Sequence, residues 1–67
     1  MILKDKRQRL SLTTAEMAEI VGVSEATISY YENYKRFPLL NKLTAIQEAY
    51  KLSDEELLAY IKKCNDK

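Results

Sequence analysis

Glu25 stands between Ser24 and Ala26 and is followed one helical turn later by Tyr30, so a carboxylate, a hydroxyl, a methyl and a phenol share a short run of chain. Such groups recognise the edge of another molecule by hydrogen bonds and apolar contact: the ionised carboxylate only accepts, and the phenol both donates and accepts. Covalent chemistry has no comparable constellation. There is no histidine, only one glycine and only one cysteine. Without a nucleophile beside a base, a cluster of metal ligands or a Gly-rich phosphate loop, the chain is expected to be no enzyme and to need no cofactor or metal.

The elements that must position these residues can be read on either side of them. Thr13 and Glu16 have the S/T-x-x-E spacing of a capping box, so a helix should begin near Thr14. Met17, Ala18 and Val21 form its apolar stripe, with Glu16 and Glu19 turned to water. Gly22, the chain's only glycine, can take the left-handed conformation that closes a helix, and Val23 can pack back beneath the turn. Ser24 then caps a second helix that buries Ile28 and Tyr31 and turns Glu25, Ala26, Ser29 and Tyr30 to other faces. Two short helices joined by a tight turn make a helix-turn-helix over about residues 14–33, and its partner is expected to be double-stranded DNA.

In such a motif the start of the second helix meets base edges in the major groove, which makes Ser24, Glu25, Ala26 and Tyr30 the candidate base contacts. The Glu25 carboxylate suits the N4 amino group of cytosine, or else it serves only the dipole of its own helix. Ala26 can touch a thymine methyl or simply permit close approach. Tyr30 faces DNA or packs on a neighbouring element.

The segment resembles the Cro and phage-repressor family of helix-turn-helix proteins. Arg7, Leu12-Thr13-Thr14, Met17-Ala18, Gly22-Val23-Ser24, Thr27-Ile28-Ser29, Glu32 and Pro38 fall in the family's order and spacing, within about residues 3–61. The resemblance implies that Thr14 and Thr27, together with Asn33, Lys35 and Arg36 after the recognition helix, contact phosphates. It also implies that Arg7 pairs with Glu32 as a structural ion pair. Independently, Arg7 lies on the apolar side of its helix, where a charge needs a buried partner. Tyr34 and Ser11 stand where the family has glycine. A tyrosine at positive φ is strained, so the exit from the recognition helix is expected to be reshaped. Lys6 replaces a usual apolar residue and implies a thinner contact of the first helix.

The remaining helices are expected over about 2–10, 40–50 and 53–63, the last opened by a second capping box from Ser53 to Glu56. Leu40, Leu43, Ile46 and Tyr50 should line one, and Leu57, Leu58 and Ile61 the other. The fold class is therefore all-α, a compact five-helix domain of the lambda-repressor type occupying residues 1–67. At 67 residues the chain can bury only about 60% of its unfolded surface, enough for one modest core. A net charge of +1 is low for a DNA binder, so affinity should rest on dimerisation and a few placed contacts, with Lys4, Lys6 and Arg9 either extending the basic footprint or merely solvated. Phe37, Leu39, Tyr60 and Ile61 exceed what so small a core needs and are the expected homodimer surface, or else they close the monomer's own core. No small-molecule ligand or membrane partner is indicated. The opening Met1-Ile2-Leu3-Lys4 does not read as a signal peptide and Cys64 reads as an incidental thiol, so a cytoplasmic location is expected. The function read from the sequence is a sequence-specific transcriptional repressor on a palindromic operator. Its alternative is the same fold used as an antitoxin or protein-interaction adaptor.

Overall fold

The computed structural model describes residues 2–65, so residue 1 and residues 66–67 of the expected domain lie outside the described residues. The described chain forms five helices: α1 (Ile2–Arg9), α2 (Thr14–Val21), α3 (Glu25–Glu32), α4 (Leu40–Tyr50) and α5 (Asp54–Asn65). None is long and apolar enough to cross a membrane.

Capping chemistry sets the starts. The Thr13 hydroxyl accepts from Glu16 N at 3.1 Å while the Glu16 carboxylate accepts from Thr13 N at 2.9 Å. Ser53 and Glu56 repeat the arrangement before α5. Glu56 also meets Lys6 at 2.9 Å, and the Ser53 N–H together with Lys6 holds its carboxyl below the usual range. Lys6 thus ties α1 to α5 where a thin apolar contact was expected.

The ends share one device. After α1, α2, α3 and α4 the chain turns through a left-handed residue: Ser11, Gly22, Tyr34 and Lys51. In each case the next N–H reaches back to close the last turn, as in Leu12 N to Arg7 O at 3.2 Å, Val23 N to Ala18 O at 3.0 Å, Lys35 N to Tyr30 O at 2.9 Å and Leu52 N to Gln47 O at 2.9 Å. Only Gly22 is built for this backbone. The exit from α3 is therefore not reshaped as the sequence implied; Tyr34 itself adopts φ 59°. Packing offsets its strain, because its ring lies 5.9 Å from that of Tyr60 and its hydroxyl accepts from Ile2 N at 3.5 Å. Lys51 is exposed, at φ 57°. Lys51→Gly should therefore stabilise the fold by roughly 0.5–1 kcal/mol, the left-handed strain outweighing glycine's chain entropy. Tyr34→Gly should destabilise it, because the ring contact is lost; urea unfolding of the two variants would overturn this account if both shifted in the same direction.

The core joins Leu3, Met17, Ala18, Val21, Ile28, Tyr31, Ile46, Tyr50, Leu52, Tyr60 and Cys64. Three expectations are corrected here. Tyr60 was expected on a dimer surface; it is fully buried, and its hydroxyl donates to Tyr31 O at 3.0 Å, because residues 57, 60 and 64 form the inward stripe of α5. Cys64, a free thiol, also lies buried on that stripe. Leu40 is 83% exposed, since the inward stripe of α4 begins at Leu43, and Leu58 is exposed as well.

Candidate nucleic-acid interface

The site begins with the ion pair that fixes α3. Arg7 Nε donates to Glu32 Oε2 at 2.8 Å and Arg7 Nη2 to Glu32 Oε1 at 3.1 Å, a two-pronged fit of guanidinium to carboxylate. Arg7 Nη1 donates to Leu12 O at 3.0 Å, which secures the start of the segment leading into α2. Tyr50 completes the cluster by donating its hydroxyl to Glu32 Oε2 at 2.9 Å. Burial next to the carboxylate pushes the Tyr50 hydroxyl far above its ordinary value, so it remains a donor, and the bond to Glu32 raises Arg7 further. Helices α1, α3 and α4 are thereby pinned at one buried point. Tyr50 was read from the sequence only as a core ring; nothing in the spacing disclosed its hydroxyl as third member.

The turn between α2 and α3 is held from the other side by Lys42. Its Nζ lies 3.4 Å from Val21 O, placing a cation at the negative end of the α2 dipole. This contact was not legible in the sequence either, because Lys42 is distant in the chain.

With Ile28, Tyr31 and Glu32 buried, α3 turns Glu25, Ala26, Ser29 and Tyr30 outward, and Asn33 follows them at its C-cap. Four of these five were singled out from the sequence. Ser29, at i+4 from Glu25, shares the face and was noted there but not assigned a role.

Several candidate side chains already have partners. The Ser24 hydroxyl accepts from Thr27 N at 3.1 Å and bonds the Thr27 hydroxyl at 2.8 Å, so both residues close the first turn of α3. Across the turn, the Thr14 hydroxyl donates to Glu25 Oε1 at 2.9 Å. This bond orients the carboxylate and links the starts of α2 and α3. Capping serves Thr13 N and Glu16 N, which leaves the N–H groups of Thr14 and Ala15 without a partner among the described residues. A phosphate there would meet backbone donors and the positive end of α2. The Asn33 amide donates to Ser29 O at 2.8 Å and to Ser29 Oγ at 3.3 Å, closing the end of α3. Lys35 and Arg36 follow, both exposed, with the Arg36 guanidinium carbon 5.2 Å from the centroid of the Tyr30 ring.

The result is an outward helix face with an acceptor at its start, an aromatic residue toward its end and two cations after it, flanked by the N–H groups that open the preceding helix. Of the expected dimer residues, Phe37 and Leu39 are 45% and 70% exposed, Ile61 is half-buried and Tyr60 is interior. Pro38 between the first two is buried, so the backbone there is anchored while its neighbours project.

A family model described as Helix-turn-helix matches residues 3–57. No curated protein and no solved structure matches the chain.

Proposed function

The chain belongs to this helix-turn-helix family, of the lambda-repressor-like type, and is a DNA-binding transcription regulator; from that premise we propose that it acts as a repressor, occupying a two-fold symmetric operator as a homodimer. The observation that carries this reading is the outward stripe of α3, held clear of the core by the buried Arg7–Glu32–Tyr50 cluster. In the proposed complex α3 lies in the major groove. Glu25, oriented by Thr14, accepts from a cytosine amino group, while Ala26 meets a thymine methyl. The N–H groups at the start of α2 receive one phosphate, and Lys35 and Arg36 receive others. Ser24, Thr27 and Asn33 act mainly by shaping the ends of α3, through the hydrogen bonds that already engage them.

An α3 of eight residues spans too few base pairs to locate an operator alone. Two copies reach successive major grooves if their recognition helices stand about 34 Å apart. The described chain measures 27 × 21 × 21 Å, so two protomers in contact at a shared two-fold axis can present helices at that spacing. Phe37 and Leu39, with Leu40 added and Tyr60 withdrawn, supply apolar surface for that contact, and Ile61 lies at its edge in this reading.

Titration of labelled random-sequence duplex across a range of salt concentrations tests the premise. Affinity should fall steeply with salt, because each neutralised phosphate releases counterions. Selection from a random duplex pool should then return inverted half-sites. A flat salt response would instead favour the adaptor or antitoxin reading, in which the apolar surface at 37–40 holds a protein partner.

A further inference from the structure

Arg36 follows Tyr30 by six residues, yet its guanidinium carbon lies over the ring at 5.2 Å from the centroid. The left-handed turn at Tyr34 makes this possible. With φ at 59°, it reverses the chain so that Lys35 N returns to Tyr30 O at 2.9 Å, and the following residue is carried back over the outer face of α3. Tyr34 is in turn anchored through its ring on Tyr60 and its hydroxyl on Ile2 N. The path from the core to Arg36 is therefore fixed by packing rather than left to an open loop.

We propose that Tyr30 is a positioning residue for Arg36: its ring is a platform that holds the guanidinium in place, and the two side chains act as one phosphate-clamping unit beside the recognition helix. This rests on the DNA-binding reading but departs from the assignment of Tyr30 as a direct reader of bases. Three observations support it. The Arg36–ring distance lies within cation–π range. The ion pairs found among the described residues, Lys6–Glu56 and Arg7–Glu32, leave Arg36 without a carboxylate, so its donors stay available to an anion. A guanidinium resting on a ring keeps its N–H groups in its own plane, directed away from the ring, and loses less rotamer freedom when a phosphate arrives. The same contact covers one face of Tyr30, which reduces the ring surface that could meet a base.

The test uses the full chain, random-sequence duplex DNA and the variants Tyr30→Phe, Tyr30→Ala, Arg36→Ala and the Tyr30→Ala/Arg36→Ala double variant. Tyr30 is 42% exposed, so these changes leave the core intact, which far-UV circular dichroism and melting will register. Tyr30→Phe should match the parent protein in affinity and salt slope. Arg36→Ala should bind roughly tenfold more weakly and lower the salt slope by about 0.9. Tyr30→Ala should approach the same values, and the double variant should be no weaker than Arg36→Ala. In the free protein, the Arg36 side-chain proton resonances should be ring-current shifted, and Tyr30→Ala should abolish that shift while Tyr30→Phe keeps it. Additive losses in the double variant overturn the proposal, as does a Tyr30→Phe variant as weak as Tyr30→Ala, which would assign the hydroxyl a direct contact. If the parent protein shows no salt-dependent binding, the DNA-binding reading and the clamp both fail. Intact Arg36 resonance shifts in that case would show that the recognition premise was at fault, and not the ring contact.

Discussion

Alanine in place of Glu32 is expected to remove a large part of the protein's folding stability at room temperature. Glu32 is 4% exposed and accepts from both Arg7 and Tyr50. Its removal strands a guanidinium and a phenol in the interior. Breaking such a buried pair from one side costs roughly 3–5 kcal/mol. A domain of 67 residues has on the order of 3–10 kcal/mol in total, so the loss is a large part of its stability. Arg7→Ala should be similarly severe, because the carboxylate then keeps only the Tyr50 hydroxyl. Tyr50→Phe removes one neutral donor and should cost nearer 1 kcal/mol. The sharper expectation concerns the Arg7→Met/Glu32→Leu double variant. With both charges gone and the volume largely kept, it should recover much of what either single change loses, since a buried pair repays little beyond its own desolvation. Urea unfolding followed at 222 nm, with Arg7→Met and Glu32→Leu measured singly beside the double variant, would give the cycle, and single-variant losses that simply add in the double variant would refute the coupling.

That cluster also marks how far the sequence could be read. The ends of the helices were legible wherever a side chain announces them: Thr13 with Glu16, Ser53 with Glu56, and Gly22 at the end of α2. Arg7 and Glu32 could be linked because a charge on an apolar stripe demands a partner. Tyr34, Ser11 and Lys51 were not legible as left-handed turn residues in the same way, since nothing local favours that backbone in them. At Tyr34 the reason is tertiary, a ring packed on Tyr60, and a neighbour 26 residues away leaves no periodic signal.

The misplacing of Tyr60 and Leu40 has a related cause. Periodicity shows that a helix has an apolar side but not which arc of it is covered. Residues 57, 58, 60, 61 and 64 span a broad arc of α5, close to half its circumference, and only the positions of its neighbours select Tyr60 and Cys64 for burial. The candidate interface divides along the same line. The outward stripe of α3 followed from helical geometry, whereas the Thr14–Glu25 bond and the Arg36–Tyr30 contact arise from turns that bring separate helix ends together.

The buried position of Tyr60 moves the proposed dimer contact toward the segment before α4, and this gives the other large effect. Leu39→Glu should fold as the parent does, because a side chain 70% exposed contributes little to the monomer core. At a two-fold contact the same substitution would bring two carboxylates together in an apolar surface, and like charges so placed cost several kcal/mol. Affinity for a duplex carrying inverted half-sites should fall by roughly 100-fold or more, corresponding to about 3 kcal/mol, while binding to a single half-site stays near the parent value. Leu40→Glu, at 83% exposure, should behave alike if the contact extends into the first turn of α4. Leu58→Glu serves as the comparison, since Leu58 is also exposed but belongs to α5. Sedimentation with the inverted-repeat duplex should find two chains bound together for the parent and for Leu58→Glu, and stepwise, weaker loading for Leu39→Glu. The reverse pattern would shift the two-fold axis onto α5. Equal behaviour of all three variants, with one chain per duplex at saturation, would leave the protein a monomeric binder and remove the symmetric operator from its proposed function.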